Sequence, residues 1–333
     1  MTALFHDIIF GPVHSRRLGL SLGVNLLPLS SKLCSFDCIY CECGWNAEHP
    51  GGRRFNSRED VRTQLEATLR RMVADSTPPD VITFAGNGEP TMHPDFEAVI
   101  GDTIALRDAL CPAAKVSVLS NATQIHRDSV RRALLRVDNN ILKLDSAFDA
   151  TVRRMNNPQS ASYTVRGIVE AMKRFDGRMI LQTMFLRGEC GGQPVDNTTE
   201  EEVSAWLRLV AEIRPQQVMV YSLDRDTPCP TLEKVTKEEL QAVAERVEAL
   251  AVEARVHVAV EAHHVHGAGL TVVEHLVGDV GDAAFDGGVF VYLLAADQHR
   301  AGVLTVDARE MADERGFARA VRADKAVYRA VRH

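Results

Sequence analysis

No run in the 333-residue sequence approaches the roughly 18 apolar residues of a membrane span. Positive charge is not in excess either, since the formal net charge is -7. The first absence removes any expected membrane anchor. The second removes a global attraction to phosphate backbones, so a nucleic-acid partner needs a local basic patch. Cysteine is sparse outside one cluster: of an odd total of seven, Cys111, Cys190 and Cys229 lie scattered, without the spacing of a secreted disulfide framework. A reducing, cytoplasmic setting is expected. The stretch SRRLGLSLGVNLLPLS sets Arg16 and Arg17 ahead of an apolar run, as an export signal does. Asn25 and Pro28 interrupt that run, and no small-residue cleavage site follows it.

With 45% apolar and 25% charged residues the chain can bury a full core, as one large α/β domain or two ordinary ones. Apolar positions recur at helical spacing over 58–75, 95–110, 127–135, 163–175, 198–213 and 236–254. Between them lie short strand-like runs at 81–86, 115–121, 139–145, 179–186, 217–223 and 256–262, and LGVNLL precedes the cysteines. About seven strands alternating with helices predict a parallel sheet with helices outside. Strands this apolar are expected to be buried on both faces, in a doubly wound sheet or a closed or partial (β/α) barrel. Either way the chemistry belongs at the C-terminal strand ends. The cysteines, GNGEPT, SNA and KLDS all fall there. From residue 265 onward the alternation fades, leaving one expected strand, GVFVYLLAA, and a helix from about Ala308.

The stretch CSFDCIYCECG, residues 34–44, holds the other four cysteines. Cys34, Cys38 and Cys41 are spaced C-x3-C-x2-C, and three thiolates on one loop can hold three irons of a [4Fe-4S] cube and leave the fourth open. Structural zinc wants four ligands, usually as two separated pairs, and no second C-x-x-C occurs. Cys43, one residue beyond Cys41, suits a shared tetrahedral site poorly. It is left as a hydrogen-atom donor, a thiol-adduct partner or a plain loop residue.

With its aromatic residue before the last cysteine, CSFDCIYC resembles the radical S-adenosylmethionine (radical SAM) signature. FGPVHSRRLG, FAGNGEPTMHPDF and VYSLDRDTPCPTLEKV resemble a branch of Fe-S oxidoreductases related to the wyosine tRNA-modification enzymes, from about Ile9 to about residue 260. The resemblance implies a partial (β/α) barrel over 10–262, followed by a C-terminal extension of unknown fold over 263–333. It also implies a [4Fe-4S] cluster on Cys34, Cys38 and Cys41, S-adenosyl-L-methionine (SAM) on the open iron, and a one-electron donor such as flavodoxin or ferredoxin. Reductive cleavage of SAM to methionine and a 5'-deoxyadenosyl radical would then start the reaction. Two rival readings are SAM-dependent methyl or aminocarboxypropyl transfer and a non-catalytic iron-sulfur redox sensor.

Tyr40 is placed to lie against adenine or simply to pack. Gly86 and Gly88 match the family's SAM-amino motif, where glycines let the backbone approach a ligand and Glu89 can meet the SAM ammonium. Ser120 and Asn121, then Lys143 and Asp145, end the next strands as contacts for the SAM carboxylate and ribose or as loop caps. Gln182 and Thr183 face either the barrel interior or a core partner. The related wyosine enzymes carry further cysteines upstream of the motif, and none precedes Cys34, which weakens the tRNA reading. A basic surface from Arg16, Arg17, Arg53, Arg54, Arg70 and Arg71 would restore it. A small molecule or peptide is the favoured substrate. His263, His264 and His266 are expected at a solvated strand end rather than on a metal.

Overall fold

The computed structural model describes residues 4–15, 19–48, 51–52, 54–225 and 227–250, and the backbone of 254–260 and 289–295. Its elements run β1 (Ile9–Ser15), β2 (Gly19–Val24), α1 (Arg58–Ala74), β3 (Val81–Phe84), α2 (Phe96–Leu110), β4 (Lys115–Ser120), α3 (Asp128–Leu134) and β5 (Asn139–Lys143). There follow α4 (Asp149–Asn156), α5 (Val165–Lys173), β6 (Ile180–Met184), β7 (Leu186–Cys190), β8 (Gln193–Asp196), α6 (Glu200–Ile213), β9 (Gln217–Tyr221), β10 (Leu232–Lys234), α7 (Lys237–Leu250), β11 (Ala254–Val260) and β12 (Val289–Ala295).

One seven-stranded sheet in the order β1-β2-β3-β4-β5-β6-β9 carries the fold. Strands β2 to β9 in that order are mutually parallel, and β1 runs antiparallel to β2 at the edge. This is the expected α/β architecture with a mostly parallel sheet, and no barrel closure is formed among the described residues. Three of the helices, α1, α5 and α6, begin where the sequence supplies caps: Ser57, Thr164 and Thr199 accept from the backbone N–H of Asp60, Gly167 and Glu202. Helix α1 then buries Val61, Leu65, Leu69 and Met72, one stripe at helical spacing, in the main core between helices and sheet.

The opposite face of the sheet, which carries an apolar cluster apart from the main core, is called the lumen face below. Side-by-side register places Lys143, Gln182 and Met219 on one face, with Ile141 and Ile180 below and Met184 and Tyr221 above. Ile141, Ile180 and Met219 form their own apolar cluster, joined by Leu119 and Tyr221, apart from the main core. Toward β2 the same face turns small and polar: Ser21 and Thr83 share a hydrogen bond of 2.9 Å, and Asn139 donates to Ser117 at 2.8 Å.

Two expectations are corrected, and several elements are added. The run 179–186 holds β6 and only the first residue of β7, a strand that leaves the main sheet to pair with β8 and β10. Strand β11 does not extend the parallel sheet but pairs antiparallel with β12, the expected GVFVYLLAA strand. Strand β1 and helix α4 were not expected. The expected boundary at 262, the histidines 263, 264 and 266, the helix from about 308, and Arg16, Arg17 and Arg53 all lie outside the described residues.

Asn87, fully buried, ties the N-terminal segment to the strand ends. Its amide donates to Phe5 O and Pro28 O at 2.8 Å each, and its Oδ1 accepts from Phe5 N at 2.8 Å. Asn87→Ala leaves these backbone groups without partners and should cost about 1–3 kcal/mol. Urea unfolding would show this as a lower midpoint at constant slope, and an unchanged midpoint would refute it.

Candidate active site

The cysteine loop leaves β2 and is stitched to the segment after β3. Leu33 N donates to Asn87 O at 2.8 Å, Glu89 N donates to Leu33 O at 3.2 Å, and Leu33 and Gly88 form a parallel bridge. A Cβ on Gly88 would overlap the Leu33 carbonyl, and φ of +140° already excludes most side chains. Gly86, at φ +133°, would bring a Cβ to 2.6 Å from Asn25 Oδ1. In the structure both glycines thus admit the cysteine loop and Asn25.

The other end of the loop is pinned to the end of α4, where Asp37 N donates to Asn156 O at 2.8 Å and Ile39 N to Met155 O at 2.9 Å. Inside it, the Lys32 ammonium donates to Gly44 O at 2.5 Å and to Asp37 at 3.2 Å, with its side chain 1% exposed. Burial opposes that charge, but Cys41, Cys34 and Asp37 outweigh it and hold Lys32 above the usual lysine value. No sequence motif had marked Lys32.

Cys34, Cys38 and Cys41 are part-exposed free thiols, whereas Cys43 is buried. Phe36 N and Asn121 Nδ2 each approach Cys34 Sγ at 3.5 Å, and Asn156 Nδ2 approaches Cys38 Sγ at 3.4 Å. Burial, then the neighbouring Cys38 charge, pushes Cys34 up; burial, then Cys41, pushes Cys38 to about 12. Cys41 moves the other way, lowered by a hydrogen bond from Cys43 against the burial penalty, with Lys32 assisting. Cys43 is raised by the same partnership, and its sulfur lies 3.6 Å from Gly86 O. Among the described residues, no three His, Cys, Asp or Glu side chains converge as a single-ion site does. The donor set suits a cluster: three thiols on one fixed loop, two already met by amide N–H groups of the kind that stabilise cluster sulfurs.

Two buried carboxylates flank the thiols. Glu89 Oε1 accepts from Thr91 N at 3.0 Å, from the Thr91 hydroxyl and from Ser120 Oγ at 2.8 Å, while Oε2 accepts from Asn121 N at 2.6 Å. Burial, the largest influence, raises its pKa despite these donors. Asp145 Oδ2 accepts from the Tyr40 hydroxyl and from Asn156 Nδ2 at 2.7 Å, and Oδ1 accepts from Met184 N at 2.9 Å. The Lys143 ammonium stands 3.6 Å from Asp145 Oδ1 and 5.2 Å from the Tyr40 ring centroid. Tyr40 is buried among Ile39, Met184 and Leu223. Gln182 lies on the lumen face beside Lys143, whereas Thr183 points into the core and donates to Leu144 O at 2.8 Å.

Some residues do not join the site. Cys111 caps α2 in the core. Cys190 and Cys229, read as isolated, are instead joined in a disulfide with Cα atoms 5.5 Å apart, because the end of β7 meets the loop after β9. Asn156, 118 residues from Cys38, was missed, since nothing local in the sequence marks it as a thiol partner.

A mostly parallel α/β sheet with a three-cysteine loop at its C-terminal edge defines a class, and the comparisons agree with it. The model of the radical SAM superfamily matches residues 29–197. A UPF0026 protein of Synechocystis sp. is 32% identical over 225 residues, 66% of this chain and 77% of that protein. A UPF0026 protein of Methanocaldococcus jannaschii is 30% identical over 214 residues, 63% of this chain and 61% of that protein. The structure of TYW1 with a lysine-pyruvate adduct bound aligns with a TM-score of 0.50 at 14% identity, covering 71% of this chain and 75% of that one. The chain belongs to the radical SAM superfamily and, within it, to the UPF0026 family. Enzymes of this superfamily use a [4Fe-4S] cluster and SAM. The chain spans between 33% and 77% of the length of the curated relatives it matches. No helix among the described residues is long and apolar enough to cross a membrane.

Without metal, Cys41 should be the first of the three loop thiols to be alkylated. Its thiolate persists above about pH 6 and is protonated below, so its rate should fall as pH drops through that value. Mass mapping after a short iodoacetamide pulse at neutral pH tests this, and earlier labelling of Cys34 or Cys38 would contradict it.

Proposed function

We propose that Cys34, Cys38 and Cys41 hold a [4Fe-4S] cluster and that the protein cleaves SAM reductively to start radical chemistry on a substrate in the lumen. The observation that carries this reading is the loop itself, fixed at Leu33 and at Ile39 with amide donors aimed at two of its sulfurs. When bound and reduced, the cluster supplies the electron that splits a carbon-sulfur bond of SAM. The chain's own residues bind and orient. Glu89 Oε1 is saturated by three donors, but Oε2 receives only one, leaving it able to accept from the SAM ammonium. Ser120 and Asn121 hold that carboxylate in place. Tyr40, fixed by Asp145, offers its ring beside Cys38 as a wall for adenine.

A small molecule or peptide is favoured over RNA. Among the described arginines, Arg58 and Arg62 are paired with Asp102, and Arg70 with Glu66, so much of the α1 surface is neutralised. A flavodoxin or ferredoxin would supply the electron.

Anaerobic reconstitution should load about four irons per chain, and Cys34→Ala, Cys38→Ala and Cys41→Ala should each prevent it, whereas Cys43→Ala should not. The reduced protein should form 5'-deoxyadenosine from SAM. Stoichiometric zinc in place of iron would sink the reading. Glu89→Gln should keep the iron but weaken SAM binding at least tenfold by equilibrium dialysis, and unchanged affinity would remove Glu89 from the SAM site.

A further inference from the structure

We infer that Lys143, flanked by Gln182 and Tyr221, is a carboxylate-binding subsite in the lumen, and that the substrate rather than SAM fills it. The inference rests on the lumen being the substrate chamber of the proposed reaction. Lys143 ends β5 and Tyr221 ends β9, one on each side of β6, where Gln182 is in register with Lys143. The three share the face whose floor is Ile141, Ile180 and Met219. An ammonium over an apolar floor loses hydration and needs compensation. The Tyr221 hydroxyl accepts from it at 2.9 Å, and the Tyr40 and Tyr221 ring centroids lie 5.2 and 5.4 Å away.

Its nearest carboxylate, Asp145, stands at 3.6 Å, beyond hydrogen-bond reach, and already accepts from Tyr40, Asn156 and Met184 N. An ammonium has three donors, so its hydrogen bond to Tyr221 leaves capacity for an incoming anion. Burial opposes the charge, but the neighbouring Asp145 outweighs it and holds Lys143 above the usual lysine value. The Asp145 carboxylate 3.6 Å from the ammonium disfavours a dianion such as phosphate more than a monoanionic carboxylate.

SAM's own carboxylate shares one carbon with its ammonium. With that ammonium at Glu89, after β3, the carboxylate remains on the β3–β4 side. Lys143 is two strands away in the sheet order, about 10 Å along the sheet at roughly 4.8 Å per strand, and its ammonium reaches further still, to the Tyr221 hydroxyl on β9. The apolar floor and cationic upper edge therefore fit a second ligand with an apolar body and a carboxylate end.

The test uses cluster-loaded protein under anaerobic conditions, with and without saturating SAM. Isothermal titration would compare 3-phenylpropionate, its neutral amide and inorganic phosphate. The acid should bind at least tenfold more tightly than the amide or phosphate, equally well with SAM present. That preference should vanish in Lys143→Met and persist in Lys143→Arg. Equal affinity for acid and amide, or no saturable binding of either, overturns the subsite, and preference for phosphate overturns the ligand class. Displacement of the acid by SAM assigns the ammonium to the SAM carboxylate and overturns the substrate assignment. The acid-amide comparison on the unmodified protein stands even if a variant fails to fold. None of these readings depends on SAM cleavage, whose failure is registered separately by missing 5'-deoxyadenosine.

Discussion

The site depends on one backbone contact, the passage of Leu33 against Gly88. Two backbone hydrogen bonds run through it, from Leu33 N to Asn87 O and from Glu89 N to Leu33 O. The contact exists only because position 88 has no Cβ and takes a positive φ. It brings the start of the cysteine loop onto the end of β3 and sets Glu89 against Ser120 and Asn121 at the end of β4. Asn121 in turn reaches back to Cys34. A short strand end, a glycine and a carboxylate thereby fix the start of the loop, and the first thiol packs against the main core beside Asn121.

Buried charge supplies the rest of the rigidity. A carboxylate or ammonium out of water is tolerated only with several partners in good geometry, so each such group constrains everything it touches. Glu89 takes four donors from two segments, and Asp145 takes three from the cysteine loop, α4 and β6. Lys32 closes the loop on itself through Gly44 O and Asp37. Moving any one of these groups strands another, which is how a loop with little regular structure keeps three sulfurs in fixed places.

The parallel sheet was legible because its strands are apolar runs separated by amphipathic helices, and the cysteine motif because its spacing is local. The misses share a cause: their signals are either weak locally or not local at all. Strand β1 contains Gly11 and Pro12, which read as a turn. Helix α4 is only eight residues long. The run from Met179 to Leu186 is uninterruptedly apolar except at Gln182 and Thr183, so nothing marks where β6 stops and β7 leaves the sheet. The glycines of GNGEP were recognised, but the surface they approach was not, because Leu33 and Asn25 precede them by more than fifty residues. Asn156 and the Cys190–Cys229 pair are likewise products of the tertiary fold.

The lumen is held on two sides by different means. On the β2–β4 side the cysteine loop is stitched down through Gly88 and Glu89. On the β6–β9 side the β7–β8 hairpin is tied through Cys190 to Cys229, in the same apolar cluster as Ile39 and Tyr40. That cluster therefore contacts both the cysteine loop and the opposite wall, and Tyr40 bridges them through Asp145. Lys143 sits where these supports meet, with Tyr40, Tyr221 and Asp145 around it. An ammonium so placed has little freedom to leave the lumen, because withdrawing it would strip the pair from a fully buried Asp145. Its position is thus a consequence of the same buried carboxylate that orients Tyr40, which couples the wall facing the thiols to the wall facing the lumen.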